Sequence, residues 1–135
     1  MPLLGTLSRY NNVGLLLLRI GLGAMMIWHG YPKLAGGPEK WKKLGNAMGD
    51  LGLHDFPVFW GFMAAFSEGV CGLLFLIGFL FRPSCLLIVI TMAVAAFHHL
   101  YNGDGMGDAS HALELGIVFL AMFIIGPGKY SVDRN

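Results

Sequence analysis

The chain has 135 residues, of which 56% are hydrophobic and only 13% are charged, whereas a soluble domain carries about 25% charged residues. This composition excludes an ordinary soluble domain and indicates one integral membrane domain, spanning residues 1–135, with the lipid bilayer as its main partner. The formal net charge of +1 provides no basic field, so we expect no nucleic-acid partner.

Four apolar segments have the length and composition of membrane spans, and helices satisfy their backbone groups inside lipid. They cover residues 13–34, 57–81, 84–101 and 109–125. An Arg82-Pro83 turn separates the second segment from the third, and a glycine-rich loop over 102–108 separates the third from the fourth. The predicted fold class is therefore all-α, a four-helix transmembrane bundle.

A further helix is predicted between spans one and two. Trp41, Leu44, Met48 and Leu51 recur there at helical spacing, beside a group of lysines. This pattern is typical of a short amphipathic helix that lies on the membrane surface. Small residues are frequent in the spans, which predicts close helix packing.

The count of basic residues gives little information on the orientation of the bundle, because these residues are equally numerous on the two sides. They are Arg9, Arg82, Lys129 and Arg134 on the side of the termini, and Lys33, Lys40, Lys42 and Lys43 on the other. We expect a multi-pass protein with both termini in the cytoplasm, because the Arg82 turn and the basic residues near the chain ends directly flank spans.

Six polar residues inside the spans are the candidate site. Insertion of a charged side chain into lipid costs roughly 2.5–3.5 kcal/mol unless the side chain has a partner or contacts water. A rise of about 1.5 Å per residue sorts them into two layers. The upper layer, near the loops, holds His29, His98, His111 and Glu114. The deeper layer holds Arg19 and Glu68, which we expect to pair, with Glu114 as a further acceptor.

Two further residues, Lys33 and His99, are secondary candidates. Adjacent residues on a helix are about 100° apart, so His98 and His99 cannot both point inward, and we expect His98 to do so.

Several interpretations of this polar set stay open. In the structural one, Arg19 and Glu68 fix the helix register, and the histidines bond to water or backbone. In the functional one, histidines beside a buried carboxylate form a ligand or proton site that works near neutral pH. A metal centre of His29, His98, His111 and Glu114 is a third interpretation, although the His-x-x-Glu order reverses the motif of carboxylate-bridged metal bundles. Haem between two histidines is a fourth.

Most of the polar residues lie in five longer motifs, and His111 and Glu114 lie outside them. The motifs are RIGLGAMMIWHGYPKL, WKKLGNAMGDLGL, AAFSEGVCGLLFLIGFLFRP, MAVAAFHH and the ending GPGKYSVD. Together they resemble the DoxX family of small prokaryotic membrane proteins, over about Leu16 to Asp133. The resemblance implies a four-helix bundle in the prokaryotic cytoplasmic membrane. It places these residues at family-typical polar positions: Arg19, His29, Lys33, Glu68, His98, Glu114 and Asp133.

The resemblance also implies links to quinone-dependent sulfur oxidation, to quinone or catechol resistance and to oxidative-stress complexes. The sequence itself contains no GxGxxG, CxxC, CxxCH or Walker motif. We therefore expect an accessory redox component, a quinone-linked oxidoreductase subunit, that works with a bound quinone and a partner redox or respiratory subunit. The alternatives are a non-catalytic structural subunit of a larger membrane complex and a metal-binding membrane protein.

The expected quinone site lies in the upper layer, between spans one, three and four. His29, His98, His111 and Glu114 would exchange hydrogen bonds and protons with the headgroup, above a floor of Arg19 and Glu68. A quinone also needs an apolar slot, for which the candidates are Trp28, Trp60, Phe66 and Phe97.

Overall fold

The computed structural model of the chain describes residues 4–133, apart from the side chain of Asp108. Arg134, one of the basic residues used for the orientation, lies outside the described residues. The protein is 83% helical, and the described residues form no strand. The α-helices are α1 (Asn11–Ala35), α2 (Gly37–Gly45), α3 (Pro57–Ile77), α4 (Phe81–Tyr101) and α5 (Met106–Ile125), and two 3-10 helices cover Gly5–Tyr10 and Asn46–Leu51.

The predicted fold class is confirmed, with a short helix between the first two spans. Helices α1, α3 and α4 are long and apolar enough to cross a membrane, and α5 adds a shorter apolar stretch over Ala109–Ile125. The turn between spans two and three comes earlier in the chain than was predicted. Helix α3 ends at Ile77 because Gly78 takes a left-handed conformation with φ 75°, the usual glycine stop signal of a helix.

Helices α1 and α3 pack with their backbones in contact through glycine. A Cβ atom on Gly30 would lie 2.2 Å from the backbone nitrogen of Gly69, and one on Gly23 would lie 2.7 Å from Cβ of Leu76. Small residues permit this approach between membrane helices. The pairing of Gly30 with Gly69 sets the register of the two helices.

This register makes α3 project beyond the end of α1. Ala35 lies five residues past Gly30, about 8 Å along its helix, whereas Pro57 lies twelve residues before Gly69, about 18 Å along its own. Helix α2 packs on the projecting part. A Cβ on Gly61 would lie 1.5 Å from the carbonyl oxygen of Trp41, and the Trp41 indole donates to the Lys33 carbonyl at 3.0 Å.

The apolar core lies on the other side of α3, toward α4 and α5. The Phe75 ring stacks on Phe81 at 5.0 Å between centroids and meets Phe119 edge-on at 4.8 Å. Cys85 and Ile88 of α4 are fully buried beside them. Helix α5 packs along α4, and among the described residues no Cα atom of α1 lies within 8 Å of one of α5. Helices α1 and α5 therefore do not pack directly along each other, although Met26 of α1 belongs to the same core cluster as Phe119 and Met122 of α5.

Candidate functional site

Arg19 is buried, and its partners among the described residues are backbone carbonyls. Its Nη1 donates to the carbonyl oxygens of Pro127 at 3.2 Å and Tyr130 at 2.6 Å, and its Nη2 donates to that of Leu76 at 3.0 Å. The predicted pairing of Arg19 with Glu68 is wrong. Leu76 lies eight residues beyond Glu68, about 12 Å along α3, so Arg19 sits at the far end of that helix.

The segment that follows α5 is tied to the same end of the bundle. The Asp133 carboxylate accepts hydrogen bonds from the backbone amides of Leu80 at 3.1 Å and Phe81 at 2.8 Å, and so satisfies free amides at the start of α4. The Val132 amide donates to the Ile77 carbonyl at 3.2 Å. Arg19 and Asp133 therefore hold the chain end onto α3 and α4, a joint role that the sequence did not reveal.

Glu68 pairs instead with Lys33, which was only a secondary candidate. The Lys33 ammonium donates to Glu68 Oε2, and the side chains are 30% and 10% exposed, respectively. The two residues meet because Gly30 of α1 lies opposite Gly69 of α3, which brings Lys33 to the level of Glu68. A depth count that starts spans one and two at the same height, at Leu34 and Pro57, places Lys33 well above Glu68 and therefore does not predict the pair.

A cavity of about 420 Å³ opens beside this ion pair, between α3 and α4. Helix α2 and the 3-10 helix after it form its roof. Its apolar walls include Phe59, Trp60, Met63, Leu87, Ile90 and Val94. Its polar lining consists of Lys33, Lys43, Ser67, Glu68, Thr91, His98 and His99.

Ser67 and Thr91 link the walls of the cavity. Their hydroxyl oxygens are 2.6 Å apart, and the Thr91 hydroxyl donates to the Leu87 carbonyl at 2.9 Å. Because Thr91 uses its proton there, the Ser67 hydroxyl is the donor of the bond between them. The pair joins α3 to α4 and leaves lone pairs on both oxygens.

His98 lies at the loop side of the cavity, where it bonds to Asp50. His98 Nδ1 is 2.5 Å from Asp50 Oδ2, and the Asn102 amide donates to the same carboxylate oxygen at 3.2 Å. Since an ionised carboxylate only accepts, a hydrogen bond between these two atoms requires the proton of His98 to be on Nδ1. Asp50 was missed because the sequence placed it in a surface segment; its occurrence in the motif WKKLGNAMGDLGL was the available signal. The neighbouring His99 bonds to Asp104 at 3.0 Å.

The other predicted site residues are not part of the cavity. His29, His111 and Glu114 are exposed, and no hydrogen bond or ion pair of theirs occurs among the described residues. The predicted upper layer is therefore not assembled, since α1 and α5 do not approach each other. Within residues 4–133, no group of three or more His, Cys, Asp or Glu lies close enough to hold a metal ion.

The aromatic residues that were predicted to form the apolar slot do not all line the cavity. Trp60 lines the cavity, whereas Trp28 is 75% exposed and Phe97 is 41% exposed. Phe66 packs against Phe62 at 6.1 Å between ring centroids, away from the cavity. An exposed tryptophan near the end of a span is typical of the aromatic belt at a membrane surface.

The residues that form this cavity lie within the part of the chain that is similar to known proteins. A family model described as DoxX matches residues 14–100. The chain is 29% identical over 129 residues to the inner membrane protein YphA of Escherichia coli (strain K12), which covers 90% of this chain and 89% of that protein. It is 30% identical over 133 residues to the inner membrane protein YqjF of the same organism, with 95% of each chain covered. No solved structure gives a significant match to the chain.

Proposed function

Because this chain belongs to the DoxX family of membrane proteins, we propose that it is an inner-membrane protein that binds a quinone between α3 and α4. In this function it is an accessory redox component that works with a partner redox or respiratory subunit. The proposal rests mainly on the cavity of about 420 Å³, which joins apolar walls to the Lys33–Glu68 ion pair and the His98–Asp50 bond.

The size and lining of the cavity support a ligand with a polar head and an apolar tail. Its volume falls in the range of about 300–1,000 Å³ that is usual for small-molecule sites. Met63, Leu87 and Ile90 are among the apolar walls, and such side chains suit an isoprenoid tail. The head would lie near the roof, where the ionisable groups are concentrated.

The polar groups match the hydrogen-bonding needs of a quinone. A quinone carbonyl accepts hydrogen bonds, and the Lys33 ammonium has three N–H donors, of which Glu68 takes one. In its imidazolium form, His98 would donate through Nδ1 to Asp50 and through Nε2 to the second carbonyl. Both ligand oxygens would then lie next to a group that holds a proton.

Reduction of a quinone consumes two electrons and two protons, and this chain would supply binding and protons. One proton would come from the Lys33–Glu68 pair, whose ammonium holds it, and the other from the His98 imidazolium beside Asp50. Lys43, at the roof, favours any negative charge that develops on the head. The electrons would come from the partner subunit, which is why we describe the chain as an accessory component.

The test is a titration of the purified protein in detergent with a short-tailed ubiquinone, followed by tryptophan fluorescence, since Trp60 lines the cavity. We expect saturable quenching, with the affinity reduced at least tenfold in Glu68→Gln and His98→Ala. His29→Ala is the matched control, because His29 is exposed and outside the cavity, and its affinity should equal that of wild type.

Two results would contradict the proposal. Folded wild-type protein that shows no saturable quenching would favour the alternative, a non-catalytic structural subunit. A loss of affinity in His29→Ala, with Glu68→Gln unchanged, would move the site back to the layer between spans one, three and four.

A further inference from the structure

The outer face of α5 carries polar residues that the bundle leaves without a partner. The buried side of this helix is formed by Ala112, Phe119 and Met122. On the opposite side, an exposed stripe at a spacing of three and four residues consists of Glu114, Ile117, Ala121 and Ile124, with His111 one turn before the glutamate. We call these five residues the α5 outer stripe.

Glu114 lies inside the apolar stretch of α5, on a face that the other described residues leave exposed. It is five residues inside the apolar stretch Ala109–Ile125, roughly 8 Å along the helix. Long lysine and arginine side chains can extend to the membrane surface from such a depth, but glutamate is shorter. Ionisable residues in spans almost always face protein or water, because exposure to lipid is costly.

The other described residues do not provide the missing partner. Within residues 4–133, His111 and Glu114 form no hydrogen bond or ion pair, and no Cα atom of α1 lies within 8 Å of α5. This face of α5 is therefore available to a partner from outside the bundle.

We propose that the α5 outer stripe is the interface of a parallel homodimer, in which His111 of each copy donates a hydrogen bond to Glu114 of the other. The stripe is self-complementary, because it carries one donor and one acceptor. A two-fold axis along the membrane normal places equal residues of both copies at equal depth. His111 and Glu114 then differ in depth by only about 4.5 Å, which their side chains can span.

The apolar part of the stripe fits the same arrangement. Ala121 is small and allows the two α5 helices to approach closely, as small residues do in membrane helix pairs. Ile117 and Ile124 flank it and would pack across the axis. The cavity lies between α3 and α4, so the dimer does not depend on the proposed quinone site.

The test is disulfide cross-linking of the full chain in native membranes with copper phenanthroline. We expect Ala121→Cys to give a covalent dimer in at least half of the chains. Ile20→Cys, on an exposed position of α1, is the matched control and should stay monomeric. The native Cys71 and Cys85 are 1% and 0% exposed and should not react.

A second substitution tests the polar contact. Glu114→Leu, added to Ala121→Cys, should lower the cross-linked fraction at least fivefold while helical circular dichroism is unchanged. Equal cross-linking at positions 20 and 121 would overturn the dimer, and so would a cross-link of position 121 to a different protein. An unchanged cross-linked fraction in the Glu114→Leu variant would overturn the bond between His111 and Glu114.

Discussion

At the scale of single residues, the charges inside the bundle are satisfied by partners of two kinds. Arg19 bonds to carbonyl oxygens, one of them from Leu76 at the end of α3, where a helix has free carbonyls and a partial negative charge. Glu68 bonds to Lys33. The bonds of Arg19 hold the segment after α5 against the bundle. The pair of Glu68 and Lys33 lies at the wall of the cavity.

Substitution of Arg19 should loosen the segment after α5. Arg19→Met removes three hydrogen bonds to carbonyls at Leu76, Pro127 and Tyr130, and the carbonyls lose a charged donor that is worth about 1.5–3 kcal/mol per bond. We expect a lower melting temperature in detergent and faster proteolysis near Lys129. Arg9→Met, at an exposed position, is the control. Equal stability of the two variants would contradict this role.

Double-mutant cycles test which of the buried charged residues form a pair. Loss of one partner from a buried ion pair costs about 3–5 kcal/mol, and less where one side chain is partly exposed, as Lys33 is. Lys33→Met and Glu68→Gln should therefore destabilise non-additively, with the double variant more stable than the sum predicts. Arg19→Met and Glu68→Gln should be additive. The opposite pattern would restore the pairing of Arg19 with Glu68.

At the scale of elements, the glycine contact between α1 and α3 decides which polar residues meet. The register set by Gly30 and Gly69 raises the first turns of α3 above the end of α1. Helix α2 then packs on α3, so its position depends on this contact as well as on its own amphipathic pattern. The roof of the cavity is thus a consequence of helix register.

This contact predicts that replacement by alanine has different effects on stability at two glycines of α1. Gly30→Ala forces a Cβ atom to within 2.2 Å of the Gly69 nitrogen, so the helices must separate; overpacking of this kind costs about 1–3 kcal/mol. Gly21→Ala meets nothing within 4 Å and should be neutral or slightly stabilising. Thermal unfolding of the two variants in one detergent tests the difference. A neutral Gly30→Ala would argue against the register.

At the scale of the whole molecule, the helices form two tightly packed pairs, α1 with α3 and α4 with α5. The cavity lies where the pairs meet, and it is bridged by only a few polar bonds such as that of Ser67 to Thr91. Among the described residues, no Cα atoms of α1 and α5 lie within 8 Å of each other. The proposed quinone site and the proposed dimer interface therefore use different surfaces.

The topology predicts which residues a membrane-impermeant maleimide reaches. Helices α1, α3, α4 and α5 place both termini on one side, and α2 lies on the other. With cytoplasmic termini, as the basic residues favour, Lys42→Cys should be labelled on intact cells and Thr6→Cys only after lysis. The reverse pattern would invert the orientation. Labelling of both positions on intact cells would contradict the four-span arrangement.

The sequence alone determined which segments are helices and that they belong in a membrane, because apolar length, turn residues and composition are local properties. It also named Glu68, His98 and Lys33 as candidate site residues. Only the tertiary structure decided which of them meet. Partner choice depends on helix register and facing, and these follow from contacts such as Gly30 with Gly69, which join residues far apart in the chain. For the same reason Asp50, in a surface helix, became a partner of His98, whereas His29, His111 and Glu114 stayed outside the cavity.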